Sequence, residues 1–271
     1  MPGHLATAVE PNLARSPLTR KLANFAPLSE EDLRALDAAG SREEQFDARQ
    51  DIVREGAVPH AVFVLQAGLA CRYRILRDGR RQITSFLIPG DICDLYVFLL
   101  RRMDHSIAAI TPVRLADIAW QDVVDLTLHR PRIATALWWS GLQEEAILRE
   151  RIVALGRRDA RGRVAYLLCE LFWRHKLVGL AEDHLVTLPL TQIDLADALG
   201  LTPVHVNRVL QEFRRNGLLT LEQRTLTLHD LQRLQQIAEI GQDYLHLGGA
   251  PEIISGYFDR QRQFLRERQG S

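Results

Sequence analysis

The sequence predicts an α+β chain: a β-sandwich or barrel of short strands, then a long helix, then a helix-turn-helix with a two-stranded wing. Three observations carry this. Between Gln45 and Trp120, segments rich in β-branched and aromatic residues are cut by glycine and aspartate turns roughly every ten residues. From Pro131 to Leu155 the chain is written almost wholly in good helix formers. Residues 190–219, LTQIDLADALGLTPVHVNRVLQEFRRNGLL, hold two amphipathic segments, parted at Gly200 and restarted at Thr202-Pro203.

Taken in order, residues 1–16 carry Pro2, Gly3 and Pro11 without apolar periodicity, which predicts a flexible tail over 1–17. Ser29-Glu30-Glu31-Asp32 before Leu33, Leu36 and Ala39 is a helix start. AVFVLQAGLACRYRIL (61–76) and RRQITSFL (80–87) flank Asp78-Gly79 and predict a hairpin with a tight glycine turn. Pro89-Gly90-Asp91 marks another turn, and HSIAAITPVRLADIAW (105–120) alternates again. Helix dominates beyond residue 122, with Pro131 placed to kink or start the main segment. There Trp138, Leu142, Ala146 and Val153 form one apolar stripe, widened by Leu148, Ile152 and Leu155. A striped helix too long for its own barrel predicts a coiled-coil-like seam between two copies. A second helix follows Gly162 (VAYLLCELFWRHKL), and Gly179 and Pro189 bracket a short polar connector. LLTLEQRTLTL (218–228) reads as a wing with Arg224 at its tip. LHDLQRLQQIAEIGQDYLHL (228–247) reads as a helix, and YFDRQRQFLRER (257–268) sets apolar residues amid charge. The expected segments are 1–17, 18–121, 122–156, 157–232 and a helical extension over 233–271.

The 190–219 stretch carries the chemistry. Thr191 can cap its first helix, with Asp194 in the capping-box position. Gly200 lets the chain leave that helix in a left-handed conformation, Thr202 caps the second, and Pro203 suits its first position. Val206, Val209, Leu210 and Phe213 face inward, which turns His205, Asn207, Arg208, Gln211, Glu212 and Arg215 outward. Base edges are read by short or forked donors near the start of an exposed helix. Arg208 offers a fork for guanine, Asn207 a bridge to adenine, and His205 a contact to base or phosphate. Thr191, Gln192 and Thr202 lie at helix starts, where hydroxyls and amides grip phosphates.

Composition narrows the rest. Lys plus Arg equals Asp plus Glu at 34 each, so net charge names no partner. No run of about 18 apolar residues and no signal pattern is present, which predicts a cytoplasmic chain without a membrane partner. Cys71, Cys93 and Cys169 are spaced as buried hydrophobes rather than as metal ligands or disulfides. No nucleophile elbow, phosphate loop or zinc pattern appears, so no enzyme is expected.

With those residues in view, the chain resembles the Crp/Fnr superfamily of bacterial transcription regulators over residues 18–228, most closely in 190–219 and in LGRRDARGRVAYLL (155–168). The resemblance implies an N-terminal β-roll sensor domain (a double-stranded β-helix or jelly roll), a long dimerisation helix and a winged helix-turn-helix. It implies a homodimer on a palindromic duplex DNA operator, with RNA polymerase as a partner. In that family the positions of Thr202, Val204 and Arg208 dock on DNA, the last as the guanine reader. Relatives that read a TTGA-type half-site carry Glu where this chain has Val204, so that operator is not expected here. Together the expected DNA-contacting set is Thr191, Gln192, Thr202, Pro203, Val204, His205, Asn207, Arg208, Gln211 and Arg215. Cyclic-nucleotide sensors of the family use Gly-Glu for the ribose and then Arg-Ser or Arg-Thr for the phosphate. In PGDICDLYVFLLRRMDHSIAA (89–109) those places hold Cys93-Asp94 and His105-Ser106. A permanently anionic diester binds a guanidinium fork far better than a mostly neutral imidazole. Asp94, His105 and Ser106 are therefore candidates for an unidentified effector, with Arg101 or Arg102 as substitute cations. A cyclic nucleotide is not the expected ligand, and no cofactor is expected, though His60 or His105 leaves haem open.

Overall fold

The computed structural model describes residues 14–40, 42–95 and 97–247. The tail expected over residues 1–13 and the charged stretch at 257–268 lie outside them. Residues 14–17 are not loose. Ser16 caps helix α1 (Pro17–Ala23), and Arg15 bonds Asp37 and Glu30. Helix α1, not expected from the sequence, starts on a serine cap followed by proline, and α2 (Glu30–Ala39) begins on the expected Ser29 cap, with Asp32 completing a capping box.

The strands form a β-roll of two antiparallel sheets. One has β1 (Arg42–Phe46), β7 (Val113–Ile118) and β3 (Val62–Ala67), in that order. The other runs β2 (Asp51–Val53), β6 (Ser106–Ala109), β4 (Ala70–Ile75) and β5 (Arg81–Leu87). The apolar stretch 61–76 is thus two strands in different sheets rather than one arm of a hairpin. The chain changes sheet at Gly68, whose φ is 87° and where a Cβ would lie 2.3 Å from the Pro112 carbonyl oxygen. Stretch 105–120 is likewise split, at Thr111-Pro112. The expected hairpin is β4–β5, turned at Gly79. Strand β3 is buried on both faces. Val62 and Val64 join α1 and Ile133, Ala136 and Leu137, while Phe63 and Leu65 join Leu87 and Ile107 inside the roll.

Helix α3 (Trp120–His129) ends at Arg130, and Pro131 starts α4 (Pro131–Arg157), a rod about 40 Å long at 1.5 Å per residue. Its apolar stripe is largely bare: Trp138, Leu142, Leu148, Ile152 and Val153 are exposed, Ile152 by 71%. Ala146 is buried against its own chain instead. Helix α5 (Ala160–Leu177), capped by Asp159, is buried nearly all round and joins roll and C-terminal domain in one core.

Ionic contacts run through that junction. Lys21 Nζ lies 2.8 Å from Asp91 Oδ1, and Arg174 Nη2 lies 2.5 Å from Asp91 Oδ2. Arg174 and Arg151 then hold Glu170 at 3.0 and 3.1 Å. All five side chains are buried. Burial alone would raise the Asp91 pKa, but Lys21 and Arg174 outweigh it and hold the carboxyl ionised.

The connector at 179–189 is a hairpin, β8 (Ala181–Glu182) and β9 (Leu185–Thr187). It extends the wing strands β10 (Leu219–Glu222) and β11 (Thr225–Leu228) into a sheet ordered β10-β11-β9-β8. The helix expected over 228–247 is shorter. α8 (Leu231–Ala238), capped by Asp230, stops where Glu239 turns left-handed at φ 50°, and a 3-10 turn follows at Asp243–Leu245. α8 also runs through the division expected at 232/233. Beyond it the chain returns to α4, where Gln143 Nε2 donates to the Leu245 carbonyl at 2.7 Å and Trp139 Nε1 to that of His246 at 3.2 Å.

Candidate nucleic-acid interface

Two short helices present the interface. In α6 (Gln192–Leu199), Thr191 Oγ1 donates to Asp194 Oδ2 at 2.7 Å and accepts from the Asp194 N–H at 3.1 Å. The Thr191 hydroxyl proton is thus committed, and the first-turn backbone amides are what this end offers a phosphate. Gly200 leaves the helix at φ 61°, and Arg163 Nη1 caps the Leu199 carbonyl at 3.1 Å. Helix α7 (Pro203–Arg215) starts on Thr202, whose Oγ1 accepts from the His205 N–H at 3.2 Å.

Helix α7 divides as its spacing predicts. Val206, Val209, Leu210 and Phe213 are buried. Thr191, Gln192, Thr202, Pro203, Val204, His205, Asn207, Arg208, Gln211 and Arg215 are all exposed. Gln192 Nε2 donates across to Asn207 Oδ1 at 3.2 Å and holds the Asn207 amide in place. Arg214 is tied to Glu222 of the wing at 2.6 Å, whereas the Arg208 and Arg215 guanidinium groups pair with nothing among the described residues. Gln223 and Arg224, both at positive φ, turn the wing, with Arg224 at its tip.

In the roll, Asp94 and His105 come together and Ser106 stands apart. His105 Nε2 lies 3.1 Å from Asp94 Oδ2, and Nδ1 lies 2.7 Å from Asp104 Oδ1. Burial lowers the His105 pKa, but the two carboxylates outweigh it and the net shift is upward. Ser106 is buried, and its Oγ accepts from the Glu55 N–H at 2.9 Å. A cavity of about 310 Å³ opens nearby, lined by Asp94, His60, Phe63, Val97 and Met103 but not by His105 or Ser106. The cation facing Asp94 is neither Arg101 nor Arg102. Both are exposed, and Arg102 donates to the Gly56 carbonyl. It is Arg72, 3.8 Å from Asp94 and 3.4 Å from Glu144 of α4, with hydrogen bonds to the carbonyls of Ile92 and Cys93. An arginine inside the apolar strand GLACRYRIL was the available signal for it. His105 thus lies between two carboxylates, and Arg72 is committed to carbonyls and acids. Among the described residues no cluster suited to a metal ion occurs. Burial pushes the Cys71 and Cys169 thiols up to about 12 and raises Cys93 as well, so all three stay protonated at neutral pH.

The comparisons with known proteins fall on these same parts. The cyclic nucleotide-binding domain family matches residues 43–130, and the Crp-like helix-turn-helix domain family matches residues 162–237. The chain is 31% identical over 212 residues to the nitrogen fixation regulation protein FixK of Bradyrhizobium diazoefficiens, covering 75% of this chain and 88% of that one. The chain belongs to the Crp/Fnr family of transcription regulators. Another relative of this Crp/Fnr regulator is the anaerobic regulatory protein of Haemophilus influenzae, 24% identical over 78% of this chain and 81% of its own. The solved structure of FixK2 from Bradyrhizobium japonicum superposes with a TM-score of 0.65 at 26% identity, over 74% of this chain and 98% of that one. As in that family, the helix-turn-helix makes it a DNA-binding protein. No helix among the described residues is long and apolar enough to cross a membrane.

Proposed function

We propose that this Crp/Fnr regulator acts in the cytoplasm as a homodimer joined along α4, reads a palindromic operator with the outer face of α7, and engages RNA polymerase there. Its work is binding rather than catalysis. The observation that carries the reading is the division of α7, with four apolar residues buried and a polar face that is exposed except at half-buried Glu212 and includes an unpaired arginine. Arg208 reads guanine through its fork, Asn207 and His205 contact neighbouring bases, and Gln211 lies one turn beyond. Val204, exposed by 67%, meets a thymine methyl group, a contact that an acidic side chain there would not make. Gln192, Thr202 and Arg215 set the register on the phosphates, with Thr191 and Pro203 starting the helices that present them. The effector of the roll is a small molecule other than a cyclic nucleotide, received beside Asp94. Selection of bound sites from random duplex DNA with the purified chain tests the reading. An inverted repeat, bound with strong salt dependence, is expected; no enriched sequence would overturn it.

A further inference from the structure

The β-roll holds the helix-turn-helix directly, through a carboxylate that no solvent reaches. Arg49 grips Asp194 of α6 with both prongs, Nη1 to Oδ1 at 2.8 Å and Nη2 to Oδ2 at 3.0 Å. Arg81, the first residue of β5, adds Nη2 to Asp194 Oδ1 at 3.0 Å and Nε to Asp197 Oδ2 at 2.7 Å. The Asp194 side chain is fully buried, although it caps the helix that offers its first turn to DNA. Neither arginine is placed casually. Arg49 sits at φ 69°, a conformation unfavourable to a residue with a Cβ, and its N–H donates to the Ala109 carbonyl at 2.8 Å. The Arg81 guanidinium lies 6.0 Å from the centre of the Tyr73 ring, and next to it Gln82 Nε2 donates to the Ala198 carbonyl at 3.3 Å.

The helix-turn-helix is therefore attached in more than one way. Covalently it follows α4 and α5, past the bend at Arg158-Asp159. Non-covalently it is pinned to the roll at Asp194 and Asp197. α5 shares the roll's core at the near side of the domain, and the ion pairs on α6 add a fixed point that helps set its angle. In a dimer whose two-fold axis runs along α4, that angle sets the distance between the two α7 helices. Palindromic duplex DNA fixes that distance at about 34 Å or a multiple of it.

We infer that Arg49 and Arg81 are positioning residues for operator reading, which select the spacing between half-sites while α7 selects their bases. This rests on the DNA-reading dimer proposed above. Arg–carboxylate forks suit the task because they fix orientation as well as distance.

The test is site selection from random duplex DNA by the full-length chain, alongside an Arg49→Gln/Arg81→Gln variant. The wild type should return an inverted repeat of one spacing. The variant should return the same half-site bases spread over several spacings, with about tenfold weaker binding at the wild-type spacing. Unchanged spacing at unchanged affinity would overturn the inference alone, and so would altered half-site bases. A wild type that selects no repeat overturns the DNA-reading proposal and this inference with it. Should the double variant fail to fold, a charge exchange keeps the question open to refutation. Arg81→Asp alone should broaden the spacing and Arg81→Asp/Asp197→Arg should restore it; no restoration sinks the role given to Arg81.

Discussion

Arg208 and Arg215 lie unpaired on one exposed face of α7, and in the proposed reading they do different work by their place along the helix. Arg208 stands within the first two turns and unpaired, the place from which, in the proposed reading, its fork meets the O6 and N7 edge of guanine. Replacing it with Ala should cost about 1–3 kcal/mol on the selected site and relax preference at one base pair per half-site. Arg215→Ala should weaken all sequences alike and reduce the salt slope by about one. Competition titrations against scrambled duplexes at several salt concentrations separate the two. In the roll, His105 is the residue whose charge matters. Its pKa is raised above 6.5 because Asp94 and Asp104 outweigh its burial. A group so raised contributes stability that is complete below pH 6.5 and fades as pH climbs through the folded value. His105→Gln should therefore lower the melting temperature most in mildly acidic buffer and little in alkaline buffer. Proton NMR should place the imidazole titration above 6.5 and move it down in Asp94→Asn. Calorimetry with cyclic AMP and cyclic GMP should find no submicromolar binding, since the guanidinium near Asp94 already has its acceptors.

Among the elements, α4 exposes what a lone chain should hide. Trp138, Leu142, Ile152 and Val153 bare an apolar strip along a helix whose other side is buried. Leu142→Glu/Ile152→Glu should give monomers by light scattering, with the helix content of each chain kept. A dimer that survives the change would mean that another face joins the copies. The helix-turn-helix was legible from sequence because its signals are local: a capping box, a left-handed glycine, a threonine-proline start and an apolar period of three and four. The hairpin β8–β9 was not legible. Its strands are two and three residues long, and only β11, far along the chain, gives them a sheet to join. The helix expected to reach 247 stops at 238, because Glu239 turns the chain so that Leu245 can be buried beside Gln143. Periodicity does not announce such a turn. In the roll the sequence pointed to the acid and the imidazole but passed over Arg72, whose place in an apolar strand hinted at burial but not at Glu144, 72 positions away.

For the whole molecule, the buried charges decide how the parts stay together. Residues 145 positions apart meet at Arg49 and Asp194, and 83 positions separate Asp91 from Arg174. No window of sequence contains either pair. The Asp91 site joins α1, the roll and α5, and its two cations have little water to turn to. Asp91→Asn should lower unfolding free energy by about 3–5 kcal/mol, because Lys21 would remain buried without its counter-charge and Arg174 would keep only Glu170. Urea titration followed by tryptophan fluorescence measures this. A loss below about 1 kcal/mol would mean that water reaches the network.

The return of Leu245 to α4 also bears on the order in which the molecule is made. Gln143 and Tyr166 are enclosed partly by residues 244–246, which a ribosome delivers last among the parts described. The roll's strand pairs can close while translation continues, since their partners are already synthesised. The junction between α4, α5 and α8 must wait for residues 244–246. A chain truncated near residue 238 would hold a finished helix-turn-helix motif on an unfinished base, so protease resistance should rise abruptly in truncations long enough to include residue 246.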